Sequence, residues 1–166
     1  KGQKITLLVS ESLTDEGACN QRQTGRQHYY EYTLKGEGVE TWHPRFSYYG
    51  FRYIQVEGAV LKGQKNTLHL PVIQKIQSCF VYNSAPKVST FQCSNRIFNE
   101  AHRLIEKAVR SNMQSVFTDC PHREKLGWLE QDHLCGPGLL YNYDLTGFLP
   151  QTLQNIADAQ HANGAV

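Results

Sequence analysis

Ser94-Asn95-Arg96-Ile97-Phe98-Asn99-Glu100-Ala101-His102-Arg103-Leu104-Ile105-Glu106-Lys107-Ala108-Val109 sets Ile97, Phe98, Ala101, Leu104, Ile105, Ala108 and Val109 at steps of three and four. That spacing gathers the apolar side chains into one stripe of an amphipathic α-helix. Ser94 is the expected N-cap, its hydroxyl accepting from an N–H that the first turn leaves unpaired. Pro86 lies in an extended connector over 84–93, where the character of the chain changes.

Upstream of the connector the period is two. Ile5-Thr6-Leu7-Leu8-Val9 reads as a short apolar strand, and the polar residues 10–28, with Gly17 and Gly25, read as a loop. Tyr30, Tyr32 and Leu34 alternate with Glu31, Thr33 and Lys35, which predicts a half-buried strand. Val39, Thr41 and His43 alternate again until Pro44 stops the run. Phe46 to Val56 is the richest β segment, with Arg52, Ile54 and Val56 on one face and Phe51, Tyr53 and Gln55 on the other. Gly63-Gln64-Lys65-Asn66 predicts a turn ahead of a strand over Thr67-Leu68-His69-Leu70. Short strands separated by turn residues indicate an antiparallel sandwich.

Downstream, Phe148, Leu149, Thr152, Leu153, Ile156, Ala157 and Ala159 predict a second helix from Leu145 to about His161, with Pro150 in its first turn. Two helices with one apolar stripe each do not close a core. They need the β half or further helices that these 166 residues do not contain. The fold class is therefore α+β, with a β-sandwich part over 1–85 and a helical part over 86–166.

The composition narrows the functional classes. Seventeen Lys and Arg against fifteen Asp and Glu give a formal charge of +2 with no dense basic block, which argues against a nucleic-acid partner. No apolar run reaches the roughly 20 residues of a membrane span. Apolar residues make up 40% of the chain, which excludes a disordered tail. Five cysteines are an odd number and form no CxxC pair, so buried free thiols are expected rather than a disulfide framework.

Chemistry concentrates between the two helices. Thr118-Asp119-Cys120-Pro121-His122-Arg123-Glu124-Lys125-Leu126-Gly127-Trp128-Leu129-Glu130-Gln131-Asp132-His133 packs six charged residues and two His into sixteen positions, along with Pro, Gly and Trp. This mixture suits a concave polar site with one aromatic wall. The plainer alternative is a helix starting at Pro121 with a solvated face at Arg123, Glu124 and Lys125. Glycosidic cleavage needs a carboxyl group that donates a proton and a second that activates water or attacks the anomeric carbon. Asp119 and Glu124 offer carboxyls for such work. Arg123, placed between them in sequence, lowers the pKa of whichever carboxylate it faces. Cys120-x-His122 and His133-x-Cys135 provide soft metal ligands at spacings that match no common zinc module. No nucleophile elbow, P-loop or dinucleotide fingerprint occurs, so no metal or cofactor is expected. Gly136-Pro137-Gly138 reads as a helix irregularity. The Tyr and Phe residues from Phe46 to Tyr53 read as sandwich core in preference to a sugar-stacking surface.

Asp119-Cys120-Pro121-His122-Arg123-Glu124-Lys125-Leu126-Gly127-Trp128 resembles the catalytic signature of bacterial α-L-rhamnosidases. Two flanking stretches are similar to further family motifs in the same order: Trp42-His43-Pro44-Arg45-Phe46-Ser47-Tyr48-Tyr49-Gly50-Phe51-Arg52-Tyr53 and Tyr141-Asn142-Tyr143-Asp144. The resemblance implies a β-sandwich domain followed by an (α/α)6 barrel, of which these residues would hold the late part of the first and the opening helices of the second. It implies inverting hydrolysis of terminal α-L-rhamnosyl units, on a rhamnose-containing glycan or glycoside, in the periplasm or outside the cell. Glu124 matches the general acid. The family often has an acidic pair there; this chain has Glu-Lys and is one residue shorter, so Glu124 is the acidic residue left in that slot. Asp119 and Arg123 match residues that hold sugar hydroxyls, and Trp128 matches an aromatic residue that packs on the 6-methyl group. A further family Asp follows the Trp by a few positions, where Glu130, Gln131 and Asp132 stand; Gln131 and Asp132 are retained as substrate-binding candidates. The family's general base is a downstream Glu. Residues 133–166 contain only Asp144, expected to cap the following helix, and Asp158, so the chain is expected to be a fragment that is inactive alone. Two other functions fit the same residues: a non-catalytic carbohydrate-binding module built on the aromatic β half, or another glycosidase on the same barrel.

Overall fold

The computed structural model describes residues 1–166. The chain forms two compact units, Lys1–Phe80 with His122–Glu124, and Val81–Pro121 with Lys125–Val166.

In the first unit, β1 (Lys4–Ser10) is the centre of a three-stranded antiparallel sheet between β2 (Tyr29–Thr33) and β3 (Tyr53–Glu57). Ile5 faces Tyr32, Leu7 faces both Tyr30 and Val56, and Val9 faces Ile54. Opposed residues share a face, so Ile5, Leu7 and Val9 lie on one side with Tyr30, Tyr32, Ile54 and Val56. Lys4, Glu31 and Glu57 lie on the other, where Lys4 Nζ meets Glu31 Oε1 at 2.8 Å.

The long stretch after β2 folds differently from its alternation. Val39, Thr41 and His43 pair with no strand, and Val39 is 86% exposed. Of Phe46–Val56 only the end from Tyr53 enters a ladder, because Pro44 has no N–H to give and Phe46 sits at φ 52°, a left-handed conformation that breaks an extended run. The aromatics of this stretch return to the sheet. Trp42 stacks on Tyr32 with ring centroids 5.3 Å apart, and Tyr49 contacts Tyr30 at 5.1 Å and stacks on His28 at 4.5 Å.

A turn does fall at Lys62–Gly63, but Thr67–Leu70 is not a strand. Asn66 accepts from Leu70 N–H through Oδ1 and donates to Leu70 O through Nδ2, closing a small loop in which His69 has φ 51°. The ladder here is a parallel pair of two-residue strands, β4 (Val60–Leu61) and β5 (Val72–Ile73).

In the second unit, α1 (Arg96–Asn112) is capped by Asn95, whose Oδ1 accepts from Ile97 N–H at 2.9 Å. The cap is one residue later than Ser94. Its apolar stripe lies mostly bare: Ile97, Phe98, Leu104 and Ile105 are 58–74% exposed, and Val109 alone of the larger stripe residues joins the core. That core is Met113, Phe117, Leu139, Tyr143, Leu145 and Phe148. It is built from the end of α1, from α2 (Leu129–Asn142) and from α3 (Phe148–Ala159), with Phe117 and Phe148 rings 4.6 Å apart. Pro150 falls in the first turn of α3, and Asp144 Oδ1 accepts from Thr146 N–H and Oγ1–H just ahead of it. The alternative of a helix starting at Pro121 does not form; regular structure resumes at Leu129, and Gly136-Pro137-Gly138 lies inside α2.

All five cysteines are thiols, but only Cys19 is buried; Cys79 and Cys135 are exposed and Cys93 and Cys120 lie between. No helix is long and apolar enough to cross a membrane.

Candidate active site

The segment Asp119–Trp128 is a closed loop between α1 and α2. Asp119 N–H donates to Leu126 O at 3.1 Å, and Leu126 N–H donates to Asp119 Oδ1 at 2.9 Å. One step earlier, buried Thr118 donates its N–H to Asn112 O, the last residue of α1, and its hydroxyl reaches Asn112 O and Oδ1. The loop base is thus bonded to the helix behind it. Its far side is tightened by Lys125 at φ 54°, a conformation that costs a non-glycine residue about 1–2 kcal/mol. It is tightened again by Gly127, where a Cβ would stand 2.9 Å from Val116 Cγ2.

Burial pushes the Asp119 carboxyl upward. Hydrogen bonds from Leu126 N–H, from the Cys120 side chain and backbone and from its own N–H outweigh it and hold the group below the ordinary aspartate value. Asp119 is therefore an ionised clasp of the loop, a role that the sequence reading did not include.

His122, Arg123 and Glu124 group with the first unit. His122 is largely buried, and its Nε2 lies 3.0 Å from Glu11 Oε2; Arg123 and Glu124 are exposed. Glu11 follows the last residue of β1 and lies 111 positions before His122, so no spacing in the sequence connects them.

Trp128 stands at the N-cap of α2, 52% exposed. The next turn holds Gln131 and Asp132, both half-buried, with Gln131 Oε1 and Asp132 Oδ1 out of contact with solvent and without a hydrogen-bond partner. Burial pushes the Asp132 carboxyl above its ordinary value.

The structure thus brings Asp119, Trp128, Gln131 and Asp132 into the second unit and Arg123 and Glu124 into the first. Two open surface hollows are lined by other residues. One of about 560 Å³ is lined by Val88, Leu140, Tyr143, Leu145 and Leu149 among others, and one of about 480 Å³ by Leu13, Cys19, Tyr53 and Ile54 among others. No group of three or more His, Cys, Asp or Glu side chains is placed to hold a metal ion.

Comparison with known proteins covers nearly the whole chain. Residues 1–82 match the family described as bacterial alpha-L-rhamnosidase concanavalin-like domain, and residues 86–166 match bacterial alpha-L-rhamnosidase 6 hairpin glycosidase domain. An alpha-L-rhamnosidase of Formosa agariphila is 32% identical over 162 residues, 94% of this chain and 16% of the relative. One from Streptomyces avermitilis is 36% identical over 135 residues, 81% of this chain and 12% of the relative. Among solved structures, the alpha-L-rhamnosidase from Dictyoglumus thermophilum superimposes with a TM-score of 0.75 at 31% identity, over 98% of this chain and 18% of that one. The Streptomyces avermitilis alpha-L-rhamnosidase complexed with L-rhamnose does so with a TM-score of 0.71 at 32% identity, over 97% and 15%. The chain therefore spans less than a fifth of the relatives that it matches.

Proposed function

The chain belongs to the bacterial α-L-rhamnosidase family, and on that premise we propose that it supplies the proton-donating side of a site that hydrolyses terminal α-L-rhamnosyl units with inversion. The observation that carries this reading is the closed loop Asp119–Leu126, which fixes the backbone on both sides of Glu124 while leaving that side chain exposed. Glu124 donates a proton to the glycosidic oxygen as the bond to the anomeric carbon breaks. Arg123 donates to sugar hydroxyls, Asp119 accepts from one with carboxylate lone pairs beyond those that hold the loop, and Trp128 gives the deoxy methyl group an apolar surface. Gln131 and Asp132, in the first turn of α2 next to Trp128, bind the sugar as well. Inversion requires a second carboxylate about 6.5–9.5 Å away to activate water. We assign that base to a residue outside 1–166, so residues 1–166 alone turn over little or no rhamnoside.

The test is Glu124→Gln in the protein expressed from its complete reading frame. A positioned acid contributes about a hundred- to ten-thousand-fold, and it matters most where the leaving group is a poor one. The variant loses activity strongly on alkyl rhamnosides and weakly on 4-nitrophenyl α-L-rhamnoside. Equal losses on both would remove Glu124 from the role.

A further inference from the structure

We propose that Glu11 is a positioning residue for the acid loop, holding His122 so that Glu124, two residues on, keeps one orientation; the proposal rests on the reading of Glu124 as proton donor. A carboxylate only accepts, so the 3.0 Å contact requires His122 Nε2 to carry the hydrogen and Glu11 Oε2 to receive it. The other ring nitrogen, Nδ1, is buried without a partner, so the Glu11 contact is the polar tie that fixes the ring.

The backbone that carries Glu11 is held on both sides. Ser10 is 1% exposed, its Oγ–H donates to Ser12 O across Glu11, and its carbonyl accepts from Arg52 N–H. Ser12 O accepts again from Asn20 N–H. The residue is thus pinned on both sides at the end of the central strand. From His122 two residues reach at most about 7 Å, so an imidazole held in place confines the Glu124 backbone. Lys125, at φ 54°, removes freedom on the far side. Glu11, His122 and Glu124 all lie in the first unit, so the device is complete within it.

The test compares Glu11→Ala and Glu11→Gln with the parent and Glu124→Gln, each expressed from the complete reading frame, on methyl α-L-rhamnoside and 4-nitrophenyl α-L-rhamnoside. Glu11→Ala should lower kcat on the methyl glycoside by about tenfold or more and change KM and the nitrophenyl reaction by less than about threefold. Glu11→Gln keeps an oxygen that accepts from His122 and should restore most of the loss. Glu11→Ala added to Glu124→Gln should cost nothing further. An unchanged kcat in Glu11→Ala, equal losses on both substrates, or failure of Glu11→Gln to restore would overturn the positioning role. Equal losses in Glu124→Gln would instead overturn the acid assignment, so the two failures are told apart.

Discussion

Asp119 and Leu126 hold each other by two hydrogen bonds, backbone N–H to carbonyl in one direction and backbone N–H to carboxylate in the other. The pair closes a loop whose interior contains His122, Arg123 and Glu124. Asp119 thus has a structural task of its own. Asp119→Asn keeps an acceptor for Leu126 N–H and should fold with little loss, whereas Asp119→Ala should destabilise by about 1.5–3 kcal/mol, the range for a hydrogen bond to a charged group. Denaturant unfolding of residues 1–166 measures both. Because the folded carboxyl lies below its ordinary 3.8, the stability that it adds is present above that pH and is lost as pH falls through the folded value. Equal destabilisation by Asn and Ala would show that the carboxyl oxygen does not hold the loop.

Gly58 joins β3 to β4 at φ 74°, and a Cβ there would lie 2.3 Å from Lys4 O, a backbone atom of the central strand. Neither the angle nor the contact can be relieved by rotating a side chain. Gly58→Ala should therefore cost more than the roughly 1–2 kcal/mol of the left-handed conformation alone. Gly63→Ala, at φ 90° with open space around it, should cost only the conformational part. Thermal unfolding of the two variants side by side gives the difference, and equal values would refute the steric contribution.

What could be read from the sequence follows from what local patterns encode. Alternation at Tyr30 and Tyr32, and three- and four-residue spacing from Ile97 to Val109, are properties of single elements, and both elements form. The stripe of α1 correctly signalled a need for partners, since Ile97, Phe98, Leu104 and Ile105 remain exposed. Alternation from Val39 to His43 failed because a period-two pattern does not say whether a neighbouring strand is available to pair. α2 leaves no periodic signal: its first turn carries Glu130 and Asp132, its middle carries Gly-Pro-Gly, and Leu139 is its one buried residue. In the site, the residue types of the signature were legible, while the Asp119–Leu126 clasp and the Glu11–His122 contact were not. Each depends on chain closure, which leaves no spacing rule behind.

Pro137 inside α2 gives up the N–H that would donate to the carbonyl four residues back, and its ring crowds that carbonyl. Pro137→Ala should stabilise the fold and raise its unfolding temperature, the gain being at most the roughly 3 kcal/mol that separates the two residues in a helix interior. The flanking Gly136 and Gly138 have open space where a Cβ would be built, so Gly138→Ala should also stabilise, by about 0.5–1 kcal/mol. A loss of stability in Pro137→Ala would mean that the proline sets a bend on which the packing of Leu139 depends.

Asp132 opposes two effects in one side chain. It lies in the first turn of α2, where a negative charge gains about 0.3–1 kcal/mol from the helix dipole, yet burial raises its carboxyl and Oδ1 has no donor. Burial is the cause of the upward direction. A folded value above the ordinary 3.8 means that the folded chain binds the proton more tightly than the unfolded chain. The stability from this group is then complete below pH 3.8 and is lost as pH rises through the folded value. At pH 7 the ionised group is a net cost, and Asp132→Asn, which cannot ionise, should raise the unfolding temperature there. The advantage should shrink on acidification and vanish below about pH 3.8. A stability gain that is independent of pH would show that packing, not the buried charge, is responsible.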